Sequence, residues 1–392
     1  MEPSLAWLLR PLAVETFLDD IWATTHHHVQ RDCAGYFDCL LSAHSAVKDL
    51  LERFRRDPSA VRLMRGKDKK SAESYRLAEG SLDLGRIRDD FADGYTIVLD
   101  GVDRHVRAIA SLSRSIETEL NFPTQVNAYM TPPGAQGLVP HYDDHDVLVL
   151  QIGGSKIWHL YPGADIPPHQ LRRDDKSVAI EGLPVPVDLR LEAGDLLYMP
   201  RGRVHAAETE SEPSVHLTVG IHAPTTLMLA VAALNSMSFH DDRLNAPLPP
   251  RHLDDADVDS DLGVLLLDAV SAVEDPGAVA RGLEALADVL LRRGQCPPVG
   301  PAASAAEIDG QTLVTKYRPL YARVKADAGG VALRFASLSI NAGPDHEAAM
   351  LFVSRSTAPF HVRDLPGLRE EQQVELARSL VVSGFLIRLP ND

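Results

Sequence analysis

Residues 127–161 read NAYMTPPGAQGLVPHYDDHDVLVLQIGGSKIWHLY, a stretch in which short apolar runs alternate with breaks of Pro, Gly and Asp. Such a pattern is typical of β-strands joined by tight turns. The same character extends from about residue 95 to residue 222. Many short strands at this spacing predict a jelly roll, in which two sheets pack face to face.

Two candidate metal ligands, His141 and Asp143, lie in the run HYDDHD, and a third, His205, lies in the later stretch GDLLYMPRGRVH. Residues i and i+2 of a strand point to the same face, so we expect His141 and Asp143 to enter one cavity. Two imidazoles and one carboxylate are the ligands of a facial triad, which binds Fe(II) and leaves positions open for O2 and a co-substrate. A catalytic zinc site accepts the same ligands, so the residue types alone leave zinc open.

The spacing of Gly194, Pro200, Gly202 and His205 fits the second motif of cupin barrels, G-(x)5-P-x-G-(x)2-H. Together with the stretch quoted above, it makes the chain similar to the JmjC-type ribosomal oxygenases of the cupin superfamily. The resemblance is strongest over about residues 95–222. It implies an α+β chain with a double-stranded β-helix (jelly-roll) core, helical flanks, a helical dimerisation region and a C-terminal winged-helix-like domain.

Members of that family are protein hydroxylases, so the resemblance implies Fe(II) as cofactor, with 2-oxoglutarate and O2 as co-substrates. It makes His141, Asp143 and His205 the iron ligands at the catalytic centre. Lys156 lies fifteen residues after His141, where the family has the basic residue that pairs with the distal carboxylate of 2-oxoglutarate.

Three further polar residues, Asn127, Tyr129 and Thr218, lie on strands that we expect to line the barrel. They either hydrogen-bond 2-oxoglutarate or satisfy the barrel interior. His145 follows Asp143 by two residues, so we expect it to be a rim residue, a residue behind the ligands or a substrate contact.

Changes of pattern along the chain predict four segments. Residues 1–90 are expected to be an N-terminal helical flank, 91–224 the catalytic jelly roll, 225–300 a helical dimerisation region, and 301–392 the winged-helix-like domain. In the last segment, VALRFASLSI and AAMLFVSRS suggest strands, LREEQQVELARSLVVSG suggests a helix that ends at Gly384, and FLIRL suggests a strand. Glutamates on that helix disfavour phosphate contacts, so direct nucleic-acid binding is not expected.

Composition narrows the class of protein. The chain of 392 residues carries a net charge of −16, which disfavours nonspecific binding to nucleic acid and suits a basic protein or peptide as partner. Its three cysteines, Cys33, Cys39 and Cys296, are too few to predict a disulfide framework, and no signal peptide or membrane span is evident. These features predict a cytoplasmic protein.

The leading functional interpretation is an oxygenase that hydroxylates Arg or His of a ribosomal protein. One alternative is a tailoring hydroxylase of a peptide natural product or a small molecule. Histone-lysine demethylation is a weaker alternative. A non-enzymatic metal-binding cupin is the alternative from another class.

Overall fold

A computed structural model describes the ranges 3–42, 46–169, 176–248, 250, 258–271, 274–294, 307–318, 320–327 and 329–390. The chain divides into two compact units, Met1–Ala223 and Pro224–Asp392. This division lies beside the predicted boundary at residue 224. The predicted boundaries near residues 90 and 300 fall inside the units and stay predictions. Cys296 lies outside the described residues.

The first unit contains five α-helices and twelve strands within its described residues. The helices are α1 (Leu5–Leu9), α2 (Val14–Thr16), α3 (Ala46–Phe54), α4 (Leu84–Ala92) and α5 (Arg107–Leu120). The strands are β1 (His27–Val29), β2 (Val61–Arg65), β3 (Asp68–Lys69), β4 (Thr96–Leu99), β5 (Thr124–Thr131), β6 (Gln136–His141), β7 (Asp146–Gly153), β8 (Ser155–Leu160), β9 (Val187–Glu192), β10 (Leu196–Met199), β11 (His205–Glu208) and β12 (Ser214–Ile221).

These strands form two sheets, which gives the jelly roll that the sequence predicts. The larger sheet has the order β1-β10-β7-β12-β5-β4-β2-β3, and the smaller has the order β6-β11-β8-β9. All the pairings within them are antiparallel. The N-terminal region differs from the helical flank expected for residues 1–90, because β1, β2 and β3 join the larger sheet. These strands are too short to stand out in the sequence against the helical pattern around them.

Strand β7 shows why the larger sheet is buried on both faces. Val147 and Val149 pack against Trp158 and other residues of the smaller sheet. Leu148 and Leu150 point the other way, into the core that the helices cover. Alternation along the strand thus distributes apolar side chains to two cores, and every residue of β7 is buried. The space between the sheets that apolar side chains do not fill is the cavity described below.

The second unit combines helices with two small antiparallel sheets. Its helices are α6 (Thr226–Met237), α7 (Val258–Ser271), α8 (Ala278–Arg293), α9 (Glu347–Arg355) and α10 (Glu370–Val382). Its strands are β13 (Leu313–Lys316), β14 (Ala322–Asp327), β15 (Gly330–Phe335), β16 (Leu338–Ala342), β17 (Phe360–His361) and β18 (Leu386–Arg388). The sheets have the orders β17-β13-β18 and β14-β15-β16.

The sequence interpretation of this unit needs one correction. AAMLFVSRS, expected as a strand, lies in helix α9, where Ala349, Met350 and Val353 are buried at helical spacing. The predicted helix end at Gly384 agrees with the structure: the amide of Gly384 donates to Val381 and the amide of Phe385 donates to Leu380, closing α10. The winged-helix arrangement stays a prediction.

Candidate metal centre and its cavity

Two of the predicted ligands, His141 and His205, lie opposite each other on neighbouring strands. His141 ends β6, His205 begins β11, and the two residues are paired in the antiparallel register. Paired residues point to the same face of a sheet. Their ring centroids are therefore only 4.4 Å apart.

Asp143 reaches the same place by another route. It lies in the connection between β6 and β7, so the strand alternation expected to orient it is wrong. The connection is held by the amide of Gly202, which donates to the carbonyl of Asp143 over 2.8 Å. Asp143 Oδ2 lies 3.8 Å from His205 Nε2. One ligand atom from each of His141, Asp143 and His205 lies within 4.8 Å of the others.

Glycine is required at position 202 by both conformation and space. Its φ is +82°, and a Cβ there would lie 2.4 Å from the carbonyl oxygen of Ile166. The carbonyl of Gly202 also accepts a hydrogen bond of 2.9 Å from the amide of Ile166. The cupin-like turn thus joins the segment before His205 to the connection that carries Asp143.

Backbone carbonyls leave the Nε2 atoms of both imidazoles available as metal donors. Nδ1 of His141 lies 2.9 Å from the carbonyl of Val139, and Nδ1 of His205 lies 2.9 Å from that of Arg203. A carbonyl only accepts, so each Nδ1 carries the proton and each Nε2 keeps its lone pair. Burial and the neighbouring His141 lower the pKa of His205 to about 4, so it is neutral near pH 7.

The carboxylate of Asp143 is ionised beside them. Burial acts to raise the pKa of Asp143, but the surrounding positive charge, which includes the ammonium of Lys176, holds it below its ordinary value. Two neutral imidazoles and one carboxylate on one side of a cavity fit a divalent first-row metal ion with open coordination positions. These three residues form a possible metal site.

The centre opens into a cavity of about 290 Å³. The side chains that line it come from both sheets and from the connection after β6. They are Arg62, Thr96, Asn127, Tyr129, Gly137, Leu138, His141, Asp143, His145, Val147, Lys156, Trp158, Met199, His205, Ala207, His216 and Thr218. All the site residues expected from the sequence are therefore brought to one cavity.

Lys156, on β8, is a buried cation in this cavity with 4% of its surface exposed. Its Nζ donates a hydrogen bond of 2.9 Å to Thr131 Oγ1. Burial lowers the pKa of Lys156 to about 7. Because a hydroxyl compensates an ammonium only weakly, the site favours an anionic partner for Lys156.

The three polar candidates, Asn127, Tyr129 and Thr218, differ in the contacts that their side chains make within the protein. Asn127 Oδ1 accepts hydrogen bonds of 3.0 Å from the amide of Gly101 and from Gln125. Tyr129 stacks on His216 with a centroid distance of 4.9 Å, and burial raises its pKa to about 12. Its phenol therefore stays protonated. Thr218 pairs with Asn127 across β5 and β12.

Sequence reasoning missed Arg62 and His216. Arg62 lies on β2 and forms a two-point ion pair with Asp100, with distances of 2.8 and 2.7 Å. It falls in the segment expected to be helical, so nothing linked it to the barrel. His216 precedes Thr218 by two residues on β12, and strand alternation from Thr218 was a signal that would have found it.

Comparisons with known proteins agree with this geometry. Residues 104–229 match the JmjC domain family. Ribosomal oxygenase 2 of Mus musculus is 33% identical over 225 residues, which cover 55% of this chain and 46% of that protein. The bifunctional lysine-specific demethylase and histidyl-hydroxylase NO66 of Drosophila yakuba is 32% identical over 220 residues, covering 56% of this chain and 32% of that protein. The chain thus spans less than half the length of either relative.

Solved structures extend the likeness to the overall fold. E. coli ycfD has a TM-score of 0.57 at 17% identity, with 97% of this chain and 99% of that chain covered. A structure of the same ribosomal oxygenase in complex with cobalt and 2-oxoglutarate has a TM-score of 0.53 at 18% identity, with coverage of 97% and 99%. The expected jelly-roll fold and the family resemblance are confirmed. Residues 104–229 thus match the JmjC domain, and over about 220 residues the chain is similar to the ribosomal oxygenases.

Proposed function

We propose that the chain is an Fe(II)- and 2-oxoglutarate-dependent oxygenase that hydroxylates a side chain of a ribosomal protein. The observation that carries the proposal is a single cavity that contains both a candidate metal centre and a buried lysine. The ligand set of His141, Asp143 and His205 lies on one side, and the buried ammonium of Lys156 lies in the same cavity. A dicarboxylate with one end on the metal and one on Lys156 satisfies both.

Each residue of the centre has a defined task in this proposal. The Nε2 atoms of His141 and His205 and the carboxylate of Asp143 hold iron and leave its remaining positions open. Lys156 pairs with the distal carboxylate of 2-oxoglutarate, which restores the charged state that burial disfavours. When bound, iron with 2-oxoglutarate and O2 supplies the oxidising power to insert an oxygen atom into an unactivated C–H bond.

Apolar side chains contribute by excluding water from this chemistry. Val147, Trp158 and Met199 line the cavity, and all three are buried. They limit the access of water to the reacting groups. The polar groups of Asn127, Tyr129 and Thr218 remain to orient co-substrate or substrate by hydrogen bonds.

An Arg or His residue of a ribosomal protein is the proposed target. The net charge of −16 suits a basic partner, and relatives over the same domain are named ribosomal oxygenase and histidyl-hydroxylase. We place this activity in the cytoplasm. None of the described helices is long and apolar enough to cross a membrane.

We also propose that the chain forms a homodimer through helices α6–α8. Many large apolar side chains on these helices are exposed within the described residues, and exposed apolar side chains in such number are typical of a protein–protein interface. They include Leu227, Met228, Val231, Val264, Leu265, Leu266, Leu267, Val270, Val279 and Leu283. A second copy covering these side chains is the simplest partner.

Intact mass spectrometry of ribosomal proteins from cells with and without the gene tests the proposed function. We expect one ribosomal protein to be lighter by a single oxygen atom in the deletion strain. Purified protein with Fe(II), 2-oxoglutarate and O2 should then restore the heavier species. If no ribosomal protein of a well-covered set differs in mass between the two strains, a tailoring hydroxylase is favoured. If the purified protein instead removes methyl groups from its target, demethylation is favoured. Failure of the Fe(II)-loaded protein to bind 2-oxoglutarate in the absence of O2 would favour a non-enzymatic cupin.

A further inference from the structure

His145 forms part of the cavity wall without being a candidate metal ligand. It ends the connection between β6 and β7, two residues after Asp143, and lines the same cavity as the candidate metal ligands. About a quarter of its side chain is exposed, at 23%. A histidine beside a metal centre either supports the centre or contacts what enters the cavity, so its hydrogen bonds decide between these roles.

An ion pair holds one edge of the His145 ring. Nδ1 of His145 lies 2.9 Å from Asp144 Oδ1, and Asp144 Oδ2 lies 2.9 Å from Lys176 Nζ. A carboxylate that is paired with an ammonium only accepts hydrogen bonds, so Nδ1 of His145 carries the proton in this arrangement. In the neutral ring, Nε2 is then a hydrogen-bond acceptor.

The opposite edge of the ring lies over a glycine of β12. A Cβ at Gly220 would lie 2.7 Å from Cδ2 and 2.8 Å from Nε2 of His145. Gly220 follows His216 and Thr218 at two-residue steps on the same strand. A side chain at position 220 would therefore point in the same direction as the side chains of these two cavity-lining residues. The ring of His222 contacts that of His145 with a centroid distance of 4.5 Å. The imidazole is therefore fixed in the space that a side chain at position 220 would occupy.

Among the described residues, none hydrogen-bonds Nε2 of His145. A rigid acceptor at the wall of a reaction cavity favours a ligand that brings a donor to it. We propose that Nε2 of His145 accepts a hydrogen bond from a side-chain N–H of the target residue and so selects nitrogen-bearing side chains. This inference rests on the proposed oxygenase function and makes His145 a specificity-determining residue.

Histidine and arginine side chains both carry N–H donors, whereas aliphatic side chains carry none. Sites built around a hydrogen bond reject analogues that lack it far more strongly than apolar pockets reject a change in size. The lone pair of His145 thus supplies a reason for selecting Arg or His that the metal centre itself does not provide.

The test measures selectivity between two peptides. An acid-extracted ribosomal protein mixture is first treated with the Fe(II)-loaded wild-type protein to identify the hydroxylated segment. Two peptides of that segment follow, one natural and one whose target side chain has no N–H: an N-methylated histidine for a histidine target, or norleucine for an arginine target. The ratio of their kcat/KM values is measured for wild type, His145→Leu and His145→Gln. We expect the wild-type ratio to fall by about tenfold or more in His145→Leu. It should recover in part in His145→Gln, whose side-chain oxygen still accepts.

Gly220→Ala provides a second variant, because its new methyl group displaces the His145 ring without removing it. It should lower the ratio as His145→Leu does.

His159→Leu is the matched control. His159 also binds a carboxylate through Nδ1, at 2.7 Å from Asp188 Oδ1, and has 21% of its side chain exposed, but it does not line the cavity. Its ratio should equal that of wild type. Binding of Mn(II) and 2-oxoglutarate, measured by calorimetry, checks that each variant keeps its centre.

Three results would overturn the inference. If His145→Leu and Gly220→Ala keep the wild-type ratio of kcat/KM values while their metal centre is intact, His145 is a structural residue. An equal fall of kcat/KM for both peptides would do the same. Hydroxylation of an aliphatic target would reject the recognition of N–H while leaving the oxygenase function in place. If the wild-type protein hydroxylates nothing, the proposed function itself fails and the inference with it.

Discussion

The ammonium of Lys156 donates to the hydroxyl of Thr131 over 2.9 Å, and that hydroxyl also accepts from Thr96 Oγ1 over 3.2 Å. This arrangement places a cation at the end of a short chain of neutral hydroxyls. The hydroxyls orient Lys156 but do not balance its charge. An arriving carboxylate therefore gains a strong ionic partner at a prearranged position.

Replacement of Lys156 by methionine should weaken 2-oxoglutarate binding to the Mn(II)-loaded protein by about tenfold or more, because a charged hydrogen bond is lost. Metal affinity should change little. Calorimetric titration of both ligands measures this. Lys316→Met is the matched control, since burial also lowers the pKa of Lys316, to about 8, in the second unit. Equal loss of metal and 2-oxoglutarate binding in Lys156→Met would mean that Lys156 is structural.

The affinity for 2-oxoglutarate should depend on pH through Lys156. Its pKa is about 7 before the co-substrate binds, and only the ammonium form pairs with a carboxylate. Affinity should therefore be level below pH 7 and fall about tenfold per pH unit above it, until the higher pKa of the bound state is reached. Titrations from pH 6 to pH 9 measure this. Lys156→Arg stays charged throughout, so its affinity should lack the fall. An unchanged fall in that variant would assign the titration to another group.

Asp143→Ala should lower metal occupancy and abolish turnover, because it removes the anionic ligand of the centre. Elemental analysis after dialysis, together with succinate formation from 2-oxoglutarate, measures both effects. Asp188→Ala is the control, since Asp188 is an exposed carboxylate that also pairs with a histidine, His159. Full metal occupancy in Asp143→Ala would contradict the assigned ligand set.

Gly202→Ala should destabilise the first unit by more than the roughly 1–2 kcal/mol expected for a left-handed backbone alone. The added cost comes from the carbonyl of Ile166, which a Cβ would approach to 2.4 Å. Metal affinity should fall too, because the amide of Gly202 holds Asp143. Gly163→Ala separates the two costs: its φ is +80°, but no atom lies within 4 Å of the added Cβ. Chemical denaturation of both variants measures the difference. Equal destabilisation would show that the contact with Ile166 relaxes freely.

Leu266→Glu should convert the proposed dimer into a monomer, because it places a charge among the exposed apolar side chains of α7, which we propose to lie in the interface. Leu266 has 66% of its side chain exposed. Light scattering after size-exclusion chromatography measures the mass. Leu338→Glu, at another exposed leucine (45%) of the same unit, should leave the mass unchanged. A monomeric wild-type protein at micromolar concentration would reject the proposed dimer.

The sequence was informative where side-chain chemistry and spacing coincide. His141, His205 and Lys156 lie on strands whose alternation predicts their common direction, and the structure places them together. Asp143 reaches the cavity through a connection, which its spacing from His141 does not reveal. Arg62 was missed because it belongs to a strand that pairs with β4, and such pairing depends on tertiary context.

The apolar run AAMLFVSRS shows a second limit. Short apolar segments suit a strand or a buried helix equally well. The packing of α9 against its neighbours decides which of the two this segment forms. The hydrogen-bond network around His145 was beyond sequence reasoning for a related reason. Lys176 lies more than thirty residues away along the chain, and only the fold brings its ammonium to Asp144.

The order of the larger sheet also bears on how far this chain can be shortened. Strands β4 and β2 cover the edge of β5, and the match to the JmjC domain begins only at residue 104. A protein shortened to residues 104–229 would expose that edge as a row of unpaired amides and carbonyls, which invites association between molecules. It would also lose Arg62 and Thr96 from the cavity. Expression of the catalytic part alone should therefore begin at the first residue of the chain and extend through residue 223.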